Sequence, residues 1–517
     1  MIPWPKPALR NQLNWLALLG LLALLAACAG PQLRMDEIRR DPSYATAPAT
    51  TGVLADMARR ISTSYSPQHS GFSLLDGSHD ALQWRLALID SAESSLDIMT
   101  YLWYPDASGL LVLERAVLAA RRGVRVRLIV DDLLTIGQEQ GHANLQNEPN
   151  IEVRFFNPWE KRGVASRAGQ MIVQMERLNT RMHDKLLIAD GRAAILGGRN
   201  IGDHYFGLGH DFNFHDLDVL AIGHMAEQSN AMFDHFWNSE WVVSAENLTT
   251  EPDQEKSDAG WQRMVESSRN AEELESFARE FKDWSTELAQ LETRLRPGTG
   301  YLIYDEVSAS GVEHSMHGAM FSVFDMAQHE LLVANAYLIP GEHGIEFLQG
   351  LVERGVDVHL ITNSLASHDL PAVHPHYAAQ RKHIIGTGAS LYEFRADAAV
   401  QSIVNVPPIA GKFVGFHTKA SVADGRHVFI GSMNLDPRSA AINTEMGAVI
   451  DSEGLGEELR MLLLRDMNGD NAWRVTLTDA DRLQWQNSDE TVDSQPKRNF
   501  MQNVMNVIFK ILPKEQF

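Results

Sequence analysis

The 517-residue chain contains one cysteine. That excludes an internal disulfide framework and any metal site built from several thiolates. Positive charge is also scarce: 45 Lys and Arg stand against 67 Asp and Glu, a formal charge of −22. Nonspecific nucleic-acid binding needs Lys and Arg to displace counterions from phosphates, so no nucleic-acid partner is expected, although a local basic groove stays compatible with this balance. Only one long apolar run stands near the start, Leu16 to Leu25. It is short for a membrane span of roughly twenty residues. What remains is a globular composition, 44% apolar, in a chain longer than one hydrophobic core usually serves. Two domains or more are therefore expected.

The position of the cysteine is informative. Lys6 and Arg10 precede the apolar run, and Leu25-Ala26-Ala27 leads directly into Cys28. This pattern resembles the lipobox of bacterial lipoproteins. The resemblance implies cleavage before Cys28 and acylation of its sulfur and new amino group, anchoring the chain to a bacterial membrane by lipid. A transmembrane anchor with an incidental cysteine is the competing reading. Ala29 is not the aspartate associated with inner-membrane retention, which favours the periplasmic face of the outer membrane over the inner one.

Residues 1–27 thus read as a signal peptide and 28–70 as a polar tether, with Pro42, Pro48 and Gly52 and folded structure expected from near Phe72. Leu96 to Tyr101 reads as a strand, Gly109 to Arg122 as a helix ended by Gly123, and Val124 to Val130 as the next strand, a β-α-β unit with a parallel pair. The unit recurs as Leu332 to Tyr337, a helix from Gly344 to Arg354, and Gly355 to Ile361. A repeat this long is a duplicated domain. The expected organisation is an α/β domain at 71–244, a helical insert at 245–296, a second similar domain at 297–480 and a tail at 481–517. In the tail, Phe500, Met501, Val504, Met505, Ile508, Ile511 and Leu512 recur at helical spacing before Pro513. That apolar face suits either a membrane interface or the protein core.

The chemistry lies in two runs. His183-Asp184-Lys185 continues to Asp190 and then Gly197-Gly198-Arg199-Asn200; His417-Thr418-Lys419 continues to Asp424 and then Gly431-Ser432-Met433-Asn434. Matched residues lie 234 positions apart (417 − 183). Alternation on a strand points His183 and Lys185, and likewise His417 and Lys419, to a common face. An imidazole is a good nucleophile near neutral pH, and a lysine beside it neutralises oxygens that gain charge. Lysine is a poor metal ligand, and the histidines lack Cys or carboxylate partners at usual ligand spacing, so neither a metal nor another cofactor is expected. Tyr101 and Tyr337, at matching strand ends, read as packing residues, and His204, His210, His374 and His376 as surface or satisfied polar groups.

Here the sequence resembles the phospholipase D superfamily, whose signature is His-x-Lys-x4-Asp with a downstream Gly-Gly/Ser-x-Asn, once per half. The resemblance covers about Phe72 to Ile450. It implies two similar domains, each a mixed, mostly parallel sheet flanked by helices, packed pseudo-symmetrically with one active site between them. It further implies that one histidine attacks phosphorus, forming a phospho-histidine, while the other protonates the leaving alcohol and activates the incoming one. By resemblance His183 is the nucleophile and His417 the acid and base; the residues themselves leave the reverse open. Asn200 and Asn434 match phosphate-binding positions, and Gly197, Gly198, Gly431 and Ser432 let the backbone approach closely. Glu445 matches a carboxylate that holds a catalytic histidine by its second nitrogen. Asp216 is its first-half counterpart after five extra residues, with Asp218 as the competitor; Asp190 and Asp424 are expected to support the turn after each strand.

The run Gly197 to Gly207, the run Asn434 to Ser439 with Asn443 to Gly447, and Thr362 to Ser367 with Val373 to Tyr377 resemble bacterial cardiolipin synthases, especially the C type. That resemblance implies phospholipid substrates: a phosphatidyl group moves from phosphatidylglycerol or phosphatidylethanolamine to phosphatidylglycerol. Hydrolysis to phosphatidic acid is the alternative, ahead of a nuclease, which would want a basic surface, or a noncatalytic lipid-binding lipoprotein, which would tolerate decay of one motif copy.

Overall fold

The computed structural model describes residue 38, residues 41–499 except 135–144, 146–147, 162–166, 168–169, 171–173, 249–253 and 371, and residue 502. Cys28 and all but Gln502 of the 500–517 segment lie outside the described residues, and with them the lipobox and the apolar tail face. The first half contributes β1 (His69–Leu75), β2 (Ser95–Thr100), β3 (Arg125–Asp131), β4 (Ile151–Phe156), β5 (Lys185–Ala189), β6 (Ala193–Gly197), β7 (Asn213–His215), β8 (Asp218–Gly223) and β9 (Val242–Ser244). The second contributes β10 (Arg296–Tyr304), a hairpin of β11 (Glu306–Ser308) and β12 (Gly311–Glu313), then β13 (Glu330–Asn335), β14 (Asp357–Asn363), β15 (Ser390–Phe394), β16 (Val414–Phe416), β17 (Lys419–Ala423), β18 (His427–Gly431), β19 (Met446–Asp451), β20 (Ala472–Leu477), β21 (Leu483–Gln486) and β22 (Thr491–Val492).

Strand pairing runs β9-β4-β3-β2-β5-β6-β8-β1 in the first half and continues through an antiparallel β1–β10 pair into β10-β19-β18-β17-β13-β14-β15-β20. The second order repeats the first in reverse, as a pseudo-twofold axis between β1 and β10 requires. The β2–β3–β4 and β13–β14–β15 strands are parallel, and the helices Ala107–Arg121, Gly341–Glu353 and His374–Gly386 join β2 to β3, β13 to β14 and β14 to β15 as the β-α-β pattern predicts. All six residues of β2 are buried, as expected for a strand covered on both faces. The one carboxylate within it, Asp97, is compensated by Arg127, whose Nε and second guanidine nitrogen donate at 2.7 and 2.8 Å. Leaving such a pair half-made costs about 3–5 kcal/mol.

Alternation along the strands sends side chains to three apolar layers. Leu187, Ala189 and Ile195 pack under the helices Ser78–Ser91 and Ala107–Arg121. Leu186, Ile188, Ala420 and Val422 meet in a core shared by both halves, which also holds the helices His224–Trp237 and Glu453–Asp466. Leu331, Val333 and Phe429 pack under the outer helices of the second half.

Three boundaries differ from the sequence reading. Folded structure begins before Phe72: the helix Val53–Ser64 buries Leu54, Met57, Ala58 and Ile61, an amphipathic face masked by the Pro- and Gly-containing stretch before it. The segment at 245–296 is helical, but Leu274, Trp284, Leu288 and Leu291 share the first half's core, and the Trp284 indole donates to Asp90 at 2.8 Å. The sheet also continues past residue 480 into β21 and β22.

Candidate active site

Each motif lysine opens a central strand. Lys185 stands opposite Thr100 and Lys419 opposite Asn335. The histidines lie two residues earlier, just outside the strands, and the opposite half fixes their backbone. The His183 N–H donates to the Thr444 carbonyl at 2.9 Å, and the His417 N–H to the His215 carbonyl at 2.8 Å, where β16 and β7 pair in parallel. Each ammonium then turns back: Lys185 Nζ donates to the His183 carbonyl at 2.6 Å and Lys419 Nζ to the His417 carbonyl at 2.5 Å. At the far end, Asp190 (φ 57°) and Asp424 (φ 52°) sit in the left-handed turn conformation that Asp tolerates. Their carboxylates accept the N–H groups of Glu93, Ser94 and Ser95, and of Gln328, His329 and Glu330. These bonds tie each motif hairpin to the start of β2 or β13.

The carboxylates cross between halves. Glu445 of the second half lies 2.9 and 3.1 Å from His183 Nδ1; Asp216 of the first lies 2.6 Å from His417 Nδ1. Asp218, one of the two candidates for that position, instead binds Arg85 at 2.9 Å and Arg199 at 3.2 Å. A carboxylate at Nδ1 fixes the tautomer and the orientation of each ring. Gly198 and Ser432, equivalent in sequence, differ for a spatial reason. A Cβ on Gly198 would stand 2.2 Å from Asp216 Oδ1, whereas the Ser432 hydroxyl donates to Glu445 at 2.5 Å.

The electrostatics are not symmetric. Burial, then Lys185 and Lys419, drives His183 well below the ordinary imidazole range. Burial also lowers His417, with Lys419 acting the same way, but Asp216 opposes the shift. Burial alone would raise Asp216; His417 and Lys419 outweigh it and keep the carboxyl below its ordinary value. Glu445 is raised by its burial. Lys185 is pushed down to about 7 by burial, against the pull of Glu445 and reinforced by Lys419.

The asparagines also differ. Asn200 is engaged, its amide donating to the Tyr205 hydroxyl at 2.8 Å and accepting the Leu102 N–H at 3.2 Å. Asn434 Oδ1 is buried with no hydrogen-bond partner among the described residues, so this amide has capacity for a ligand. Tyr101, read from the sequence as a packing residue, and several residues given no role there surround the rings. Tyr101 presents itself edge-on to His183 with centroids 5.2 Å apart; Tyr205 does the same to His417 at 5.5 Å. Arg438 forks onto Asn179 with two bonds of 2.7 Å. Asp184, pushed up to about 7 by burial, accepts the Thr444 hydroxyl. The signal for Tyr205 was its place five residues beyond Asn200, as Ser439 stands beyond Asn434.

The sequence profile described as "Cardiolipin synthase, PLD-like domain" matches residues 86–237 and 320–467, one match per half. Cardiolipin synthase C of Escherichia coli is 34% identical over 467 residues, covering 87% of this chain and 97% of that protein. Cardiolipin synthase A of Edwardsiella ictaluri is 22% identical over 487 residues, covering 88% and 86%. Among solved structures, phosphatidylserine synthase of Haemophilus influenzae superposes with a TM-score of 0.53 at 14% identity, covering 79% of this chain and 91% of that one. At that identity the likeness concerns the fold alone.

The close approach at Gly198 yields a test. Gly198→Ala should displace Asp216 from His417 and lower turnover about a hundredfold or more, with the protein still folded by circular dichroism. Ser432→Ala, which removes one hydrogen bond and fills no space, should cost about tenfold. Equal losses in the two variants would contradict the steric argument.

Proposed function

Because the chain belongs to the cardiolipin synthase family of phospholipase D-like proteins, we propose that it is a phosphatidyltransferase. It moves a phosphatidyl group from phosphatidylglycerol or phosphatidylethanolamine to the glycerol hydroxyl of a second phosphatidylglycerol, forming cardiolipin. The observation that carries this reading is the crossed pair of carboxylate-held histidines, each beside a buried lysine, on one pseudo-twofold axis.

His183 Nε2 attacks phosphorus. A P–N bond forms, the P–O bond to the head-group alcohol breaks, and His417 gives that oxygen a proton. His417 then takes the proton of the incoming lipid hydroxyl, whose oxygen attacks phosphorus; the P–N bond breaks and His183 is regenerated. Lys185, Lys419 and Asn434 stabilise the phosphoryl oxygens as their charge grows. The assignment of His183 as nucleophile is supported by its lower proton affinity, set by burial and both lysines. His417, beside the ionised Asp216, keeps more acid character. The site is nearly closed, His183 and His417 being 9% and 5% exposed. Water is thus disfavoured relative to a lipid hydroxyl delivered from a membrane. No described helix is long and apolar enough to cross a membrane. Membrane attachment in this reading is through acylated Cys28 on the periplasmic side of the cell envelope, supported by the lipobox.

Expression in a bacterium lacking its own cardiolipin synthases should restore cardiolipin by mass spectrometry. His183→Ala and His417→Ala should each abolish it, with the double variant no worse, because residues acting as a unit are non-additive. Phosphatidic acid as the sole product would make the enzyme a hydrolase. The pH profile is a second check. The neutral His183 exists above its depressed pKa and the protonated His417 below its own, both under the ordinary imidazole value. Loss of the Lys185 charge near pH 7 steepens the alkaline fall. kcat/KM should therefore peak on the acid side of neutrality and drop across pH 7; a plateau from pH 6.5 to 9 would contradict this. Finally, labelling with a radioactive fatty acid should mark the native protein and not Cys28→Ala; label on the variant would defeat the anchor.

A further inference from the structure

The phosphate is served by a duplicated set of residues, but the two ester arms of a phospholipid differ chemically, so what tells them apart must break the pseudo-symmetry. At the second half's rim, Asp369 does so. Its carboxylate is 19% exposed and accepts the Tyr337 hydroxyl at 2.9 and 3.1 Å. Tyr337 lies two residues beyond Asn335, the strand partner of Lys419, and its ring stacks on His368 at 5.3 Å with planes 2° apart. The tyrosine taken from sequence as packing is therefore a post between the strand beside Lys419 and this carboxylate. Asp369 is also among the charges that favour the protonated forms of His417 and Lys419, and it acts on Tyr104 across the rim. On the first half, Tyr104 lines an apolar slot together with Trp103, Pro105 and Leu110.

We propose that Asp369, positioned by Tyr337, is the head-group recognition residue, binding the hydrogen-bond donors of the alcohol that leaves or enters beside His417. This rests on the transferase reading above. An ionised carboxylate only accepts hydrogen bonds, so it suits the hydroxyls of a glycerol head group or the ammonium of ethanolamine. It offers nothing to a diester whose leaving group lacks such donors. The lipid arm then lies toward the apolar slot of the first half.

The test compares kcat/KM on phosphatidylglycerol, phosphatidylethanolamine and bis(p-nitrophenyl) phosphate, whose leaving group carries no donor. For Asp369→Ala the ratio of lipid to aryl diester should fall about tenfold or more, mainly through KM, as expected for one lost charge-assisted hydrogen bond. Tyr337→Phe should shift it the same way and less. A fall confined to phosphatidylglycerol assigns the carboxylate to the glycerol hydroxyls, and one confined to phosphatidylethanolamine assigns it to the ammonium; both support the proposal. Equal losses on all three substrates, or none on any, would overturn it. A native enzyme that cleaves the aryl diester and no phospholipid would instead sink the transferase reading.

Discussion

The structure turns on an exchange: each motif histidine is held at Nδ1 by a carboxylate of the other half. A buried imidazole without that partner would lose its tautomer and its aim, and a buried carboxylate without the imidazole would be an uncompensated charge costing about 3–5 kcal/mol. Neither half is therefore a complete unit. The continuous pairing of β1 with β10, the shared core around the helices His224–Trp237 and Glu453–Asp466, and the parallel pair of β7 with β16 all hold the two halves in the one arrangement that keeps both exchanges. Geometry at phosphorus follows from that docking rather than from any local turn.

Charge balance follows from the same exchange. Two lysines and two histidines gathered in a buried pocket would repel one another, and burial lowers all four. Asp216 and Glu445 keep the cluster tolerable without cancelling it, so the pocket suits an anion. A bound phosphodiester would favour the protonated lysines further, which is the sense required for stabilising charge that grows on its oxygens. The fold holds these charged groups together before any substrate arrives.

Duplication supplied the frame, and departures from duplication supply the direction of the chemistry. Asp216 leaves room only for glycine at 198, whereas Glu445 accepts the Ser432 hydroxyl. Asn200 is spent on Tyr205 and Asn434 is not. Arg438 stands near His183, while the residue at the equivalent position, His204, stacks on Phe212 instead. Each difference is small, and together they make the surroundings of two chemically similar histidines unequal.

The motif residues and their spacing were legible in the sequence because a β-strand has period two and because a duplicated motif repeats at a constant offset: His183, Lys185, His417 and Lys419 needed no structure to be found. The parallel β-α-β units were legible from short, mostly apolar strands such as Leu96 to Tyr101 followed by a helix that ends at Gly123. Asp216 was favoured over Asp218 by the motif resemblance alone, and the contacts that separate the two were not legible. Both carboxylates lie two positions apart in one segment, and only the packing of Arg85 and Arg199 against Asp218 decides between them. Nor did the sequence reveal that the helix Val53–Ser64 belongs to the core, since its apolar face has meaning only against β1 and β8. Which carboxylate serves which histidine was decided by tertiary structure alone, because that pairing joins residues more than 200 positions apart, a distance over which no local periodicity carries information.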